Sequence, residues 1–104
     1  MDKTNISVVG SIALDSLKTY KGNYDNLLGG SATYFSIAAS KFVPTEVIGI
    51  VGSDFPKDCW KIFDRKNINS KNIVEKNGST FRWGGEYSDD YSSRETLFTE
   101  LGVF

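Results

Sequence analysis

The residues best suited to chemistry in this chain are one aspartate, Asp15, and a glycine pair, Gly29-Gly30, that opens the run Ser31-Ala32-Thr33-Tyr34. Paired glycines in front of a helix bring bare backbone N–H groups close to a ligand. No Cβ blocks the approach, and the helix N-terminus favours bound oxygen atoms. Asp15 follows the apolar run Val8-Val9-Gly10-Ser11-Ile12-Ala13-Leu14. An ionised carboxylate is a strong acceptor for hydroxyl groups. The two features predict a small-molecule site with one carboxylate and one backbone cradle. Tyr34, Phe81, Trp83 and Tyr87 offer aromatic faces for a ring to stack on, and Arg82 offers a cation for an anionic group.

Each of these residues also has a purely structural reading. Asp15 could bond nearby backbone N–H groups in a turn. The glycines could make a tight loop, the aromatics could be core, and Arg82 could be a solvated strand charge. Gly52-Ser53-Asp54 reads as a strand-to-helix corner with Asp54 as the cap. Cys59 lies on an apolar face and reads as a buried small hydrophobe.

Composition excludes several classes. Among 104 residues, 12 are basic and 13 acidic, for a net charge of −1. The two signs are mixed along the chain, so there is no basic patch for nucleic acid or an anionic membrane. Cys59 is the single cysteine and there is no histidine, which argues against an internal disulfide and a metal site. Met1 to Asn5 is polar and does not read as a signal peptide. No apolar stretch approaches the roughly 20 residues that span a bilayer. The expectation is a soluble cytoplasmic protein.

The elements that must position the site follow from periodicity and punctuation. Ile6 to Gly10 reads as a buried strand and Ala13 to Tyr20 as a second one. Lys21 to Asn26 carries turn residues. Ser31 to Phe42 predicts a helix with little polar face, deeply buried and stopped by Pro44. Thr45 to Gly52 predicts a buried strand parallel to the first. Ser53 or Asp54 would cap a following helix, with Pro56 in its first turn and Phe55, Cys59, Ile62 and Phe63 facing the sheet. Asn67 to Asn77 is polar, with Ile73-Val74 as a short edge strand. Thr80 to Tyr87 and Thr96 to Phe104 read as two further strands joined through Ser88 to Ser93, able to form a separate small sheet. The strand–helix–strand–helix order predicts an α/β fold with a parallel sheet.

Three pieces of the chain together resemble the N-terminal part of the PfkB (ribokinase-like) carbohydrate kinases. They are Val8-Val9-Gly10-Ser11-Ile12-Ala13-Leu14-Asp15, Gly29-Gly30 before a small-residue helix, and Gly49-Ile50-Val51-Gly52-Ser53-Asp54. Phe81-Arg82-Trp83 and Thr96-Leu97-Phe98-Thr99 resemble the lid strands of a sugar-kinase branch. The resemblance covers essentially all of residues 1–104. It implies a parallel sheet flanked by helices with a small β-lid, whose strands would fall within 13–20 and 79–104. It implies ATP-dependent phosphorylation of a sugar or nucleoside, with Mg²⁺, in an intact parent. Asp15 would then accept hydrogen bonds from substrate hydroxyls, and Gly29 and Gly30 would admit the sugar to the backbone. Tyr34 stands where that family usually has asparagine.

The family's catalytic aspartate, anion hole and nucleotide site have no match in these residues. The expectation is therefore an acceptor-binding fragment that is inactive alone and holds neither ATP nor Mg²⁺ itself. The alternative is a naturally short, non-catalytic sugar-binding or interaction module. In either case the lid strands could pair two copies of the chain.

Overall fold

The computed structural model describes residues 6–104; Met1 to Asn5, including the polar start read above, lie outside the described residues. Two sheets organise the chain. The first is parallel and has three strands, β1 (Ile6–Val9), β4 (Thr45–Gly52) and β5 (Ile68–Lys76), in the order β1-β4-β5. The second is mixed and has four, β2 (Ala13–Thr19), β3 (Gly22–Gly29), β6 (Phe81–Tyr87) and β7 (Arg94–Glu100), in the order β3-β2-β6-β7. Strand β2 runs antiparallel to β3 and parallel to β6, and β6 runs antiparallel to β7. Helices α1 (Ser31–Ala39) and α2 (Lys57–Phe63) supply the connections into β4 and β5. This is the α/β fold, with a parallel sheet and a small β-lid, that the sequence predicts.

The core joins both layers. Ile12 and Leu14 from the start of the lid sheet pack with Ala32 of α1, Val47 and Val51 of β4, and Phe55, Cys59 and Phe63 around α2. Trp60 closes its flank, edge-on to Phe55 at 5.3 Å. Ile68 and Ile73 complete it from β5.

Five expectations change. Helix α1 ends at Ala39, and only its small-residue face is buried, through Ala32, Thr33 and Ser36. Phe35 and Phe42 point outward, at 51% and 85% exposure. Small side chains let the helix backbone lie close to β1 and β4, while Ile37 packs against the core from its flank and Phe35 is left on the far side.

Residues 22–29 form a strand where the composition reads as a turn. The turn itself is only Tyr20-Lys21, because Thr19 pairs with Gly22. Asn26 takes a left-handed φ of 57°, in a bulge where Asp25 and Asn26 face the single residue Ser16. Its turn-like residues therefore serve a hairpin and a bulge within a strand.

Strand β5 is longer than Ile73-Val74. A register shift sets Ser70 and Lys71 of β5 opposite the single residue Val47, one residue more than regular pairing. Ile68 and Ile73 thus both face inward despite their odd spacing, which hides the strand's alternation from sequence inspection.

Helix α2 is preceded by Pro56 at its N-cap, not by Ser53 or Asp54. Strand β7 covers Arg94–Glu100; beyond it the chain turns at Gly102-Val103 and Phe104 stacks on Phe81 at 5.1 Å.

Candidate functional site

Alternation along β2 sends Ala13, Asp15 and Leu17 to one face of the lid sheet. Asp15 lies in the interior of that sheet, paired with Leu27 on β3 and Trp83 on β6. Phe81, Trp83 and Tyr87 share its face by the same alternation along β6. The Trp83 ring lies over Gly85, where a Cβ would collide with it. These residues, with Gly30, Ser31 and Tyr34 from the start of α1 and Arg94 from the start of β7, line a cavity of about 390 Å³.

The cradle at the start of α1 is held from the β1–β2 loop. The Ser31 N–H donates to Ser11 Oγ at 3.0 Å and the Ala32 N–H to the Ser11 carbonyl at 3.0 Å. Ser11 thus supplies from afar the cap that glycine cannot. Gly30 has φ 97°, and a Cβ there would run into the Ser11 carbonyl. Only glycine fits both the conformation and the space.

Burial raises the pKa of Asp15 above its ordinary value of 3.8, and the positive charge of Arg94 partly opposes this. Arg94 is braced across the Trp83 ring at 5.1 Å. The cavity therefore holds a partly desolvated carboxylate within its wall and a guanidinium at its rim, with aromatic faces between them. Such an arrangement can accept hydrogen bonds from hydroxyls and stack on a ring.

The structure brings Asp15, Gly30 and Tyr34 together in this cavity, with Phe81, Trp83 and Tyr87 as the aromatic walls. Gly29 is not part of the lining; it is buried behind Asp15, whose carboxylate occupies the space a Cβ would need. Arg82 is not brought to the site. It projects from the opposite face of β6 and donates to Asn26 Oδ1 at 2.7 Å and to Asp54 Oδ2 at 3.1 Å. Strand parity could have shown this, because Arg82 is one residue out of phase with Phe81 and Trp83.

Arg94 is the cation that sequence reading missed. It lies between the connection read as Ser88 to Ser93 and the strand read from Thr96, and only the pairing of Tyr87 with Arg94 carries it to the cavity. Asp54 is no helix cap. It accepts from the Thr80 N–H at 2.9 Å, the Thr80 hydroxyl at 2.7 Å and Arg82. Burial pulls its pKa up, but the bonds from Thr80 and Arg82 outweigh that and leave it lowered.

The parallel sheet, the four-stranded lid and the glycine-opened helix between them make the fold that of ribokinase-like kinases. The nucleoside kinase of Burkholderia thailandensis, in complex with inosine, is similar with a TM-score of 0.79 and 14% identity, over 94% of this chain and 37% of its own. The nucleoside kinase of Methanocaldococcus jannaschii, an archaeal member of the ribokinase family, has a TM-score of 0.77 and 21% identity, over 94% of this chain and 37% of its own. Ribokinase from Cryptococcus neoformans, in complex with ADP, has a TM-score of 0.77 and 15% identity, over 99% of this chain and 35% of its own. The chain spans little more than a third of the length of these structures. No family model matches the chain, and no curated protein matches it.

Proposed function

We propose that the chain is the N-terminal, acceptor-binding part of an ATP-dependent sugar or nucleoside kinase. The observation that carries this reading is the cavity in which a half-buried Asp15 faces the glycine-opened start of α1 beneath aromatic walls. Substrate hydroxyls donate to Asp15. The Gly30 backbone admits the sugar, and Trp83, Phe81 and Tyr34 pack on its apolar faces. The lid sheet shields the site from water. Phosphoryl transfer by such a parent, with ATP and Mg²⁺, rests on positioning and electrostatic stabilisation.

Among the described residues no three His, Cys, Asp or Glu side chains group to hold a metal ion. The donor set present does not fit Mg²⁺, and these residues are assigned acceptor binding only. No described helix is long and apolar enough to cross a membrane. We place the parent in the cytoplasm, consistent with the unpaired Cys59.

The test is calorimetric titration of the chain with D-ribose and with inosine, alongside an assay for ATP-dependent phosphorylation. Saturable binding that Asp15→Ala abolishes, without turnover by the chain alone, is the expected result. Absence of binding to both compounds, and to D-glucose, D-gluconate and a hexose phosphate as well, overturns the reading.

One observation favours a second reading, the short non-catalytic module. Strand β7 is an exposed sheet edge with Leu97 and Phe98 outward. Under that reading two copies pair through their lids and bind sugar without a catalytic partner.

A further inference from the structure

We infer that Arg94 sets the substrate class of the candidate site, which takes a polyol bearing one anionic group, a carboxylate or a phosphate. The inference rests on the acceptor-site reading above and deepens it. Asp15 and Arg94 are the charged residues that line the cavity. Their charges are opposite, and Arg94 lowers the Asp15 pKa, yet the two form no ion pair. The space between them is open for a ligand.

Among the described residues the Arg94 side chain makes no hydrogen bond and no ion pair, so its guanidinium N–H groups remain available. Glu86, Asp89 and Glu95 border a second hollow on its other side, and none of them pairs with it. The guanidinium is nonetheless held in place, because it lies across the Trp83 ring. A planar guanidinium so braced matches a carboxylate or phosphate in two parallel hydrogen bonds. A neutral sugar satisfies Asp15 through its hydroxyls and brings Arg94 no acceptor charge. An anionic polyol satisfies both ends at once, with its hydroxyls at Asp15 and its anion at the rim.

The experiment is calorimetric titration of the chain with D-glucose, D-gluconate and a hexose phosphate at low ionic strength. The wild type is expected to bind at least one of the two anions about 10-fold more tightly than glucose, the lower end of the range for bonds to a charged group, because Arg94 is exposed. Which anion wins separates carboxylate from phosphate. In Arg94→Gln the anion-to-glucose ratio falls to about one, while Arg94→Lys keeps part of it. Arg82→Gln removes the same charge outside the cavity and keeps the ratio. Arg94 is an exposed residue on an edge strand, and circular dichroism checks that its variants fold.

Equal wild-type affinity for glucose and both anions overturns the inference while leaving the acceptor-site reading standing. So does a ratio that survives in Arg94→Gln. Failure of all three compounds, and of ribose and inosine, overturns both.

Discussion

The Asp15 carboxylate lies against the Cα of Gly29, in the space that any other residue would fill with Cβ. The first glycine of the pair therefore makes room for the carboxylate, and the second opens the helix. Gly29→Ala is expected to push Asp15 out of place. Overpacking of this kind costs about 1–3 kcal/mol. Thermal unfolding should register that loss, and titration with ribose should show weaker binding in the fraction that folds.

Asp15 also gives stability a pH dependence. Burial, only partly opposed by Arg94, raises its pKa in the folded chain above 3.8. The folded state thus holds this proton to higher pH than the unfolded state, and Asp15 costs stability as pH rises through that window. Asp15→Asn removes the cost. The variant should be more stable than wild type near neutrality and equal to it below the ordinary carboxylate range, as urea titrations across pH would show. The same variant should bind acceptor more weakly by about 10-fold or more, because a bond to a charged group contributes roughly 1.5–3 kcal/mol. A substitution that stabilises the chain and weakens its ligand separates a binding role from a structural one.

Asp54 ties the parallel sheet to the lid. Thr80 is fully buried, donates to Asp54, and accepts the Gly52 N–H at 2.9 Å. Asp54→Ala leaves the Thr80 N–H and hydroxyl without their acceptor, for a loss of about 1–3 kcal/mol. Arg82→Gln removes a partly exposed ion pair and an exposed bond to Asn26, for about 1 kcal/mol. Urea unfolding of the two variants should rank them in that order. The lowered Asp54 pKa has the opposite sign to that of Asp15: its contribution is full above 3.8 and is lost as pH falls below it.

Asp90 organises the loop between β6 and β7. It accepts from the Ser92 N–H at 3.0 Å, the Ser92 hydroxyl at 2.7 Å and the Ser88 hydroxyl at 2.8 Å. These bonds hold its pKa down to about 2. Titration followed by NMR should find that value, moving up toward 3.8 in Ser92→Ala. The loop order it supports is complete above the ordinary carboxylate range and fades as pH falls toward 2.

The exposed edge of β7 bears on self-association. Leu97 and Phe98 are outward on a strand with no partner on its far side among the described residues. If two chains pair there, Leu97→Lys should shift sedimentation toward the monomer. A wild-type chain that sediments as a monomer at all concentrations removes lid pairing from consideration.

The sequence by itself determined the local elements and the ends of the site. The run into Asp15, the glycines before a small-residue helix and the buried Thr45–Gly52 strand follow from apolar patterning and glycine placement, which act over a few residues. Parallel pairing of β1 with β4 and a separate lid were also legible, because strand–helix alternation leaves few arrangements.

Tertiary structure decided the rest. Two bulges shift the phase of β3 and β5, so a strand read as a turn and an edge strand read as a short one. Which arginine meets the cavity depends on cross-strand pairing: Arg94 arrives beside Tyr87, while Arg82 turns away to Asp54 and Asn26. Side-chain period tells which residues share a face, but only the register between distant strands tells what that face meets.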